Sequence, residues 1–82
     1  MKLSRDISGD ELTRLLKKYG YHASRQAGSH IRLTSSFKNT EHHITIPHQK
    51  FLRVGTLDNI LNHVAAYLEM DKKTLITVLF EK

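Results

Sequence analysis

The chain has no cysteine, no tryptophan and one proline in 82 residues. Without cysteine there can be no disulfide framework and no thiolate metal site, which fits a reducing compartment. The single proline, Pro47, and the four glycines fall between candidate elements rather than in tracts, so no Pro/Gly-rich linker divides the chain. No repeat or low-complexity tract interrupts it either. Long apolar runs are also lacking: nothing approaches the roughly 18 residues that a membrane span needs. The first residues, Met1-Lys2-Leu3-Ser4-Arg5-Asp6, carry no apolar signal core. These absences lead to the expectation of a soluble cytoplasmic protein with no membrane partner. A chain of this length is expected to form one domain, residues 1–82, and buries only roughly 60% of its unfolded surface. Most of its apolar residues must therefore hold the fold together, which argues against a deep cofactor pocket.

What is abundant is positive charge. Thirteen Lys and Arg against eight Asp and Glu leave a formal net charge of +5, and six histidines stand outside that count. Such a balance favours a polyanionic partner, either nucleic acid or an acidic protein.

Ser8-Gly9-Asp10-Glu11 opens a helix. Ser8 can cap it, Glu11 completes a capping box, and Ile7 with Leu12 are spaced for a hydrophobic staple. Leu12, Leu15, Leu16 and Tyr19 recur at helical spacing, and Gly20 is suited to a left-handed stop. Three strands are expected next. The first spans Tyr21 to Gln26, with Tyr21 and Ala23 inward. Gly28 turns the chain. His30 to Ser35 alternates, with Ile31 and Leu33 on one face and His30, Arg32 and Thr34 on the other. After a polar loop, His42 to Pro47 puts Ile44 and Ile46 inward and His43 and Thr45 outward. Pro47 ends that ladder because it has no N–H to donate.

Gln49 to Val54 reads as a connector broken by Gly55, with Thr56 capping a second helix. Leu57, Ile60, Leu61, Val64, Ala65 and Leu68 form its apolar stripe. Asp58 is placed in the first turn, where it favours the helix dipole. Asp71 caps a short third helix, whose Leu75, Ile76, Val78, Leu79 and Phe80 close the core or offer a second apolar side. The order predicts an α+β fold: a helix, a three-stranded antiparallel sheet, a helix and an extra short C-terminal helix. With helices on one face, the other face is left open and carries His30, Arg32, Thr34, His43 and Thr45.

Four segments in order, Gly-Asp-Glu-Leu with Leu-Leu-Lys-Lys-Tyr-Gly-Tyr, then Arg-Gln-Ala-Gly-Ser-His, then Ile-Thr-Ile-Pro, then Val-Gly-Thr-Leu-Asp-Asn-Ile-Leu, resemble the HicA toxin family. The resemblance runs from about Ser8 to Phe80. It implies a double-stranded-RNA-binding-domain-like (dsRBD-like) fold and an mRNA interferase, the toxin half of a toxin–antitoxin pair. It also implies a HicB-type antitoxin that binds the toxin and masks its active site. The family's essential histidine maps onto His30, and its Gly-Thr-Leu segment onto Gly55, Thr56 and Leu57. Many relatives carry a histidine two residues after the third-strand proline. Here that position is Gln49, and His48 stands one residue earlier.

Cleaving RNA without a metal requires deprotonating the 2′-hydroxyl, stabilising charge on phosphorus and protonating the leaving 5′-oxygen. An imidazole suits the proton steps because its unperturbed pKa, about 6.5, lies near working pH. His30 is thus the candidate catalytic residue. Arg25 and Arg32 are candidates for pairing with phosphate. Gly28 allows close backbone approach, and Ser29 contributes a hydrogen bond. Lys50 and Arg53, with Lys17 and Lys18, extend the candidate RNA track. No acid is placed to make Ser29 the nucleophile of a triad with His30.

The other histidines do not suggest a metal. His42 and His43 are neighbours on a strand and point to opposite faces. His42 shares the parity of Ile44 and Ile46, so a hydrogen-bonded place inside or at a strand end is expected for it. His22 and His63 have no partner visible in the sequence, and zinc needs four ligands, or three and water. No metal and no cofactor is expected. Two other functions fit the same residues. One is a non-catalytic RNA-binding module on the same scaffold, which reads shape and 2′-hydroxyls and needs no indispensable histidine. The other is a protein-interaction domain with an acidic partner.

Overall fold

A computed structural model describes residues 7–80. The order is α1 (Gly9–Leu16), a 3₁₀ turn (Lys17–Tyr19), β1 (His22–Ala27), β2 (His30–Ser35), β3 (His42–Pro47), α2 (Val54–Leu68) and α3 (Lys72–Phe80). The three strands form one antiparallel sheet in the order β1-β2-β3. This is the expected α+β architecture, and its helix–three strands–helix succession is that of a dsRBD-like layout.

α1 begins as its sequence dictates. Ser8 Oγ accepts from the Glu11 N–H at 3.0 Å, and Glu11 Oε1 accepts from the Ser8 N–H at 3.2 Å. The reciprocal bonds satisfy two donors that the first turn leaves without a helical partner. Ile7 and Leu12 flank this cap and are both buried. The α-helix stops at Leu16 and tightens into 3₁₀ geometry, and Gly20 then closes it at φ +79°. Tyr19 is thereby placed within the final turn.

The strands sort by parity. Ile31 and Leu33 of β2 and Ile44 and Ile46 of β3 are buried, and they join the α1, α2 and α3 residues in one core. All six residues of the α2 stripe, Leu57 through Leu68, are buried there. In α3 the buried residues are Leu75, Ile76 and Leu79, so that helix closes the core. Asp71 caps it, accepting from the Thr74 N–H at 3.1 Å.

Four local expectations change. β1 starts one residue later and is exposed throughout, Ala23 included, and its pairing with β2 shifts register between Ala23 and Arg25. Tyr21 is buried just ahead of it. Thr56 does not cap α2. The helix starts at Val54 with Arg53 as its N-cap residue and no side-chain cap bond, so Gly55 lies inside its first turn. Asp58 then falls beyond the first turn, and it pairs instead with Lys72 at the start of α3.

The connector from β3 to α2 is laced to the start of α1. The Gly9 N–H donates to the Gln49 carbonyl at 2.9 Å, and the Leu52 N–H to the Ile7 carbonyl at 2.8 Å. A Cβ built at Gly9 would collide with the Pro47 carbonyl oxygen, so this approach requires glycine. Gly9→Ala should cost about 1–3 kcal/mol, the range for inserting a methyl group into a packed contact, read from the urea midpoint. At the other end of the chain, Glu69 closes α2 in the left-handed region, at φ 57°. Glu69→Gly should raise stability by up to about 1 kcal/mol, since glycine adopts this conformation without a Cβ penalty.

Candidate nucleic-acid interface

β1 and β2 are joined by the two residues Gly28 and Ser29. Gly28 has φ +58° and Ser29 is not in the left-handed region, the glycine-first pattern of a type II′ hairpin turn. This turn delivers His30 to the first position of β2. Its Cα partners are Ala27 on β1 and Pro47 on β3.

Because Ile31 and Leu33 face the core, His30, Arg32 and Thr34 face away from the helices. The register adds Arg25 opposite Arg32, and Thr45 opposite Arg32 on the other side. Residues two apart on a strand are separated by about 7 Å, so His30 and Arg32 are neighbours on this face. His30, Arg25 and Arg32 are all exposed. Among the described residues neither guanidinium has a carboxylate partner. Among the described residues the His30 ring has one hydrogen-bond partner, Nδ1 lying 3.4 Å from Ser29 Oγ.

The far end of the open face is knitted together. Ser24 Oγ lies 2.8 Å from Thr34 Oγ1, which lies 2.9 Å from His43 Nδ1. The register shift beside Ser24 allows this contact, and it leaves Thr34 buried although it lies on the open face. His43 Nε2 reaches Glu41 at 3.5 Å. This hydroxyl–imidazole chain ties the three strands together at that end without an apolar layer, and the sequence alternation does not reveal it.

Sequence-selected residues therefore divide into two groups. His30, Arg25 and Arg32 share the open face, with Gly28 and Ser29 at its rim. Lys50 lies elsewhere, in a depression of about 340 Å³ with Ser8, Asp10, His48 and Gln49 beside the start of α1. Arg53 caps α2 and is exposed. The exposed Phe51 stands between them in the chain.

His42 takes the inward place that its parity implies. Its Nδ1 lies 2.6 Å from the Tyr21 hydroxyl, and its ring stacks on Tyr67 with centroids 4.6 Å apart and planes at 12°. Tyr67 in turn secures the β2–β3 loop, its hydroxyl accepting from the Lys38 N–H at 2.9 Å and donating to the Thr40 carbonyl at 2.5 Å. Burial, followed by the nearby His63 and His43, lowers the His42 pKa from 6.5. Burial, followed by Tyr67, raises that of the Tyr21 hydroxyl, which therefore stays protonated and donates to the neutral imidazole. His42, His43 and His63 line a groove of about 300 Å³ between β3 and α2, but among the described residues no group of three or more His, Cys, Asp or Glu is arranged to hold a metal ion.

A protein-family model, the HicA toxin of bacterial toxin–antitoxin systems, matches residues 9–65. The chain belongs to the HicA toxin family. The match spans α1, the whole sheet and most of α2, the elements that build the open face. It stops short of α3. No curated protein and no solved structure matches the chain. Among the described residues no helix is long and apolar enough to cross a membrane.

The His42 environment has a pH consequence. Its folded pKa lies below the unfolded value, so between the two the unfolded chain binds the extra proton. Stability should therefore be unaffected by this group above about pH 6.5 and decline as the pH falls below it, levelling off once the folded ring also titrates. His42→Gln should remove this part of the pH dependence, measured as the urea midpoint between pH 7.5 and 5.

Proposed function

We propose that the chain is the toxin of a toxin–antitoxin pair and acts as an endoribonuclease on mRNA, with His30 as its catalytic residue. The observation that carries this reading is the exposed His30 on an open sheet face shared with Arg25 and Arg32, whose guanidinium groups have no carboxylate partner among the described residues. Membership of the family supports the toxin role.

The chemistry uses groups of this chain and of RNA. In the tautomer whose Nδ1–H donates to Ser29 Oγ, the Nε2 lone pair is the one left for the substrate. Nε2 takes the proton of the 2′-hydroxyl as the 2′-oxygen bonds to phosphorus. The bond from phosphorus to the 5′-oxygen breaks, and the leaving oxygen takes a proton from the imidazolium or from water. The products are a 2′,3′-cyclic phosphate and a free 5′-hydroxyl. Arg32, with Arg25 opposite, offsets the charge that builds on the phosphoryl oxygens. A positioned acid–base group supplies roughly 10²–10⁴-fold. Gly28 keeps the rim of the face free of side-chain bulk. Lys50 and Arg53 serve as outlying phosphate contacts for a longer strand. No step is assigned to a metal or cofactor. The proposed setting is the cytoplasm, where a HicB-type antitoxin covers the open face and blocks access to His30.

Purified protein incubated with RNA in chelator should cleave it. His30→Ala should slow cleavage by about 10²-fold or more with folding intact by circular dichroism, and should abolish growth toxicity on expression. Parent-like cleavage by that variant removes His30 from the mechanism. Binding without cleavage by the parent would leave an RNA-binding module instead. Arg32→Gln should weaken RNA binding and reduce the slope of log K against log salt by about 0.7, the value for one phosphate contact on a single strand.

A further inference from the structure

His48 is exposed, outside the open face, and makes three hydrogen bonds to three different parts of the chain. Its main-chain N–H donates to the Ser29 carbonyl at 2.6 Å. Its Nε2 lies 3.1 Å from Asp10 Oδ2, in the first turn of α1. Its Nδ1 lies 3.2 Å from Gln26 Nε2, near the end of β1. The ring can bond to both side chains at once. A carboxylate only accepts, so Nε2 carries the proton, and Nδ1 accepts from the Gln26 amide.

Two of the three contacts, to Ser29 and Gln26, fall on the hairpin end that carries His30, and the third ties it to α1. Ser29 immediately precedes His30, and Gln26 precedes Ala27, the residue paired with His30. Gln26 lies opposite Ile31, on the face that carries the helices, whereas His30 projects from the other face. His48 therefore braces the back of the turn. The brace has a fixed footing: His48 is flanked by Pro47, whose carbonyl abuts Gly9, and by Gln49, whose carbonyl accepts from the Gly9 N–H.

We propose that His48 is a positioning residue: with Asp10 and Gln26 it straps the Gly28–Ser29 turn to the start of α1 and so fixes where His30 presents its ring. A two-residue turn at the open end of an edge hairpin has few contacts of its own. Gly28 illustrates this, since a Cβ added there would meet nothing within 4 Å. Without the strap the turn moves on its hinge, and a displacement near 1 Å is enough to cost about 10²-fold in a reaction that depends on alignment. The consequence for rate rests on the endoribonuclease reading; the strap itself does not.

Two measurements on the full chain test these separately. In ¹⁵N-labelled protein, His48→Ala should speed amide exchange at Ala27 and His30 about tenfold or more and leave Leu33 and Val64 as in the parent. His48→Gln, whose amide N–H can still reach Asp10, should lie between the two. Asp10→Ala should speed the same amides and add little in the His48→Ala background, because both remove one strap. In RNA cleavage, His48→Ala should lower kcat about ten- to a hundredfold with KM within about threefold, and His48→Gln should recover part of it. Unchanged exchange at the turn in His48→Ala overturns the strap. Faster exchange with unchanged kcat overturns its role in placing His30. A parent protein that does not cleave RNA sinks the endoribonuclease reading, and the exchange comparison then decides the strap alone.

Discussion

Everything at the candidate site follows from the burial of one face of a small sheet. Ile31, Leu33, Ile44 and Ile46 alternate along two paired strands and meet the apolar stripes of α1 and α2. Because side chains alternate with a period of two, committing these four to the core commits His30, Arg32, Thr34, His43 and Thr45 to the other face. A slip of one residue would bury His30 and Arg32 and expose the isoleucines. The core thus determines which groups can meet a ligand, although none of its members touches one.

That open face is unlike an ordinary solvated one. One end is closed by the Ser24–Thr34–His43 chain, which spends its polar groups on holding the strands together. The other end keeps an imidazole bonded only to the neighbouring Ser29 and, among the described residues, two guanidinium groups without a carboxylate partner. A folded domain with a positive balance gains nothing in stability from leaving such groups unpaired side by side, since like charges repel. Their arrangement instead suits an anion that reaches several of them at once, as a phosphodiester does.

Behind the face, the β3–α2 connector performs a second task. Its backbone bonds to Ile7 and Gly9 anchor α1, and the His48 ring reaches from the same segment to both Asp10 and Gln26. His48 was legible in the sequence only as an unplaced imidazole. Asp10 was legible only as part of a helix start, and Gln26 as a strand residue. Their convergence joins residues separated by 22 and 38 positions, which no local pattern encodes.

The sequence by itself determined the elements and their faces, because capping, helical spacing and strand alternation are local rules. The Ser8 cap, the α2 stripe, the Gly28 turn and the outward parity of His30 and Arg32 are all of this kind. Local rules misplaced the start of α2 and the burial of Ala23, which pairs with the inward Leu33 yet stays exposed, since how closely the helices cover each strand lies outside them. Only the tertiary structure decided that Arg25 stands opposite Arg32, that Lys50 falls on the far side near α1, and that His42 shelters between two tyrosines. Those outcomes depend on which strands pair and in what register, a choice made by the whole core at once.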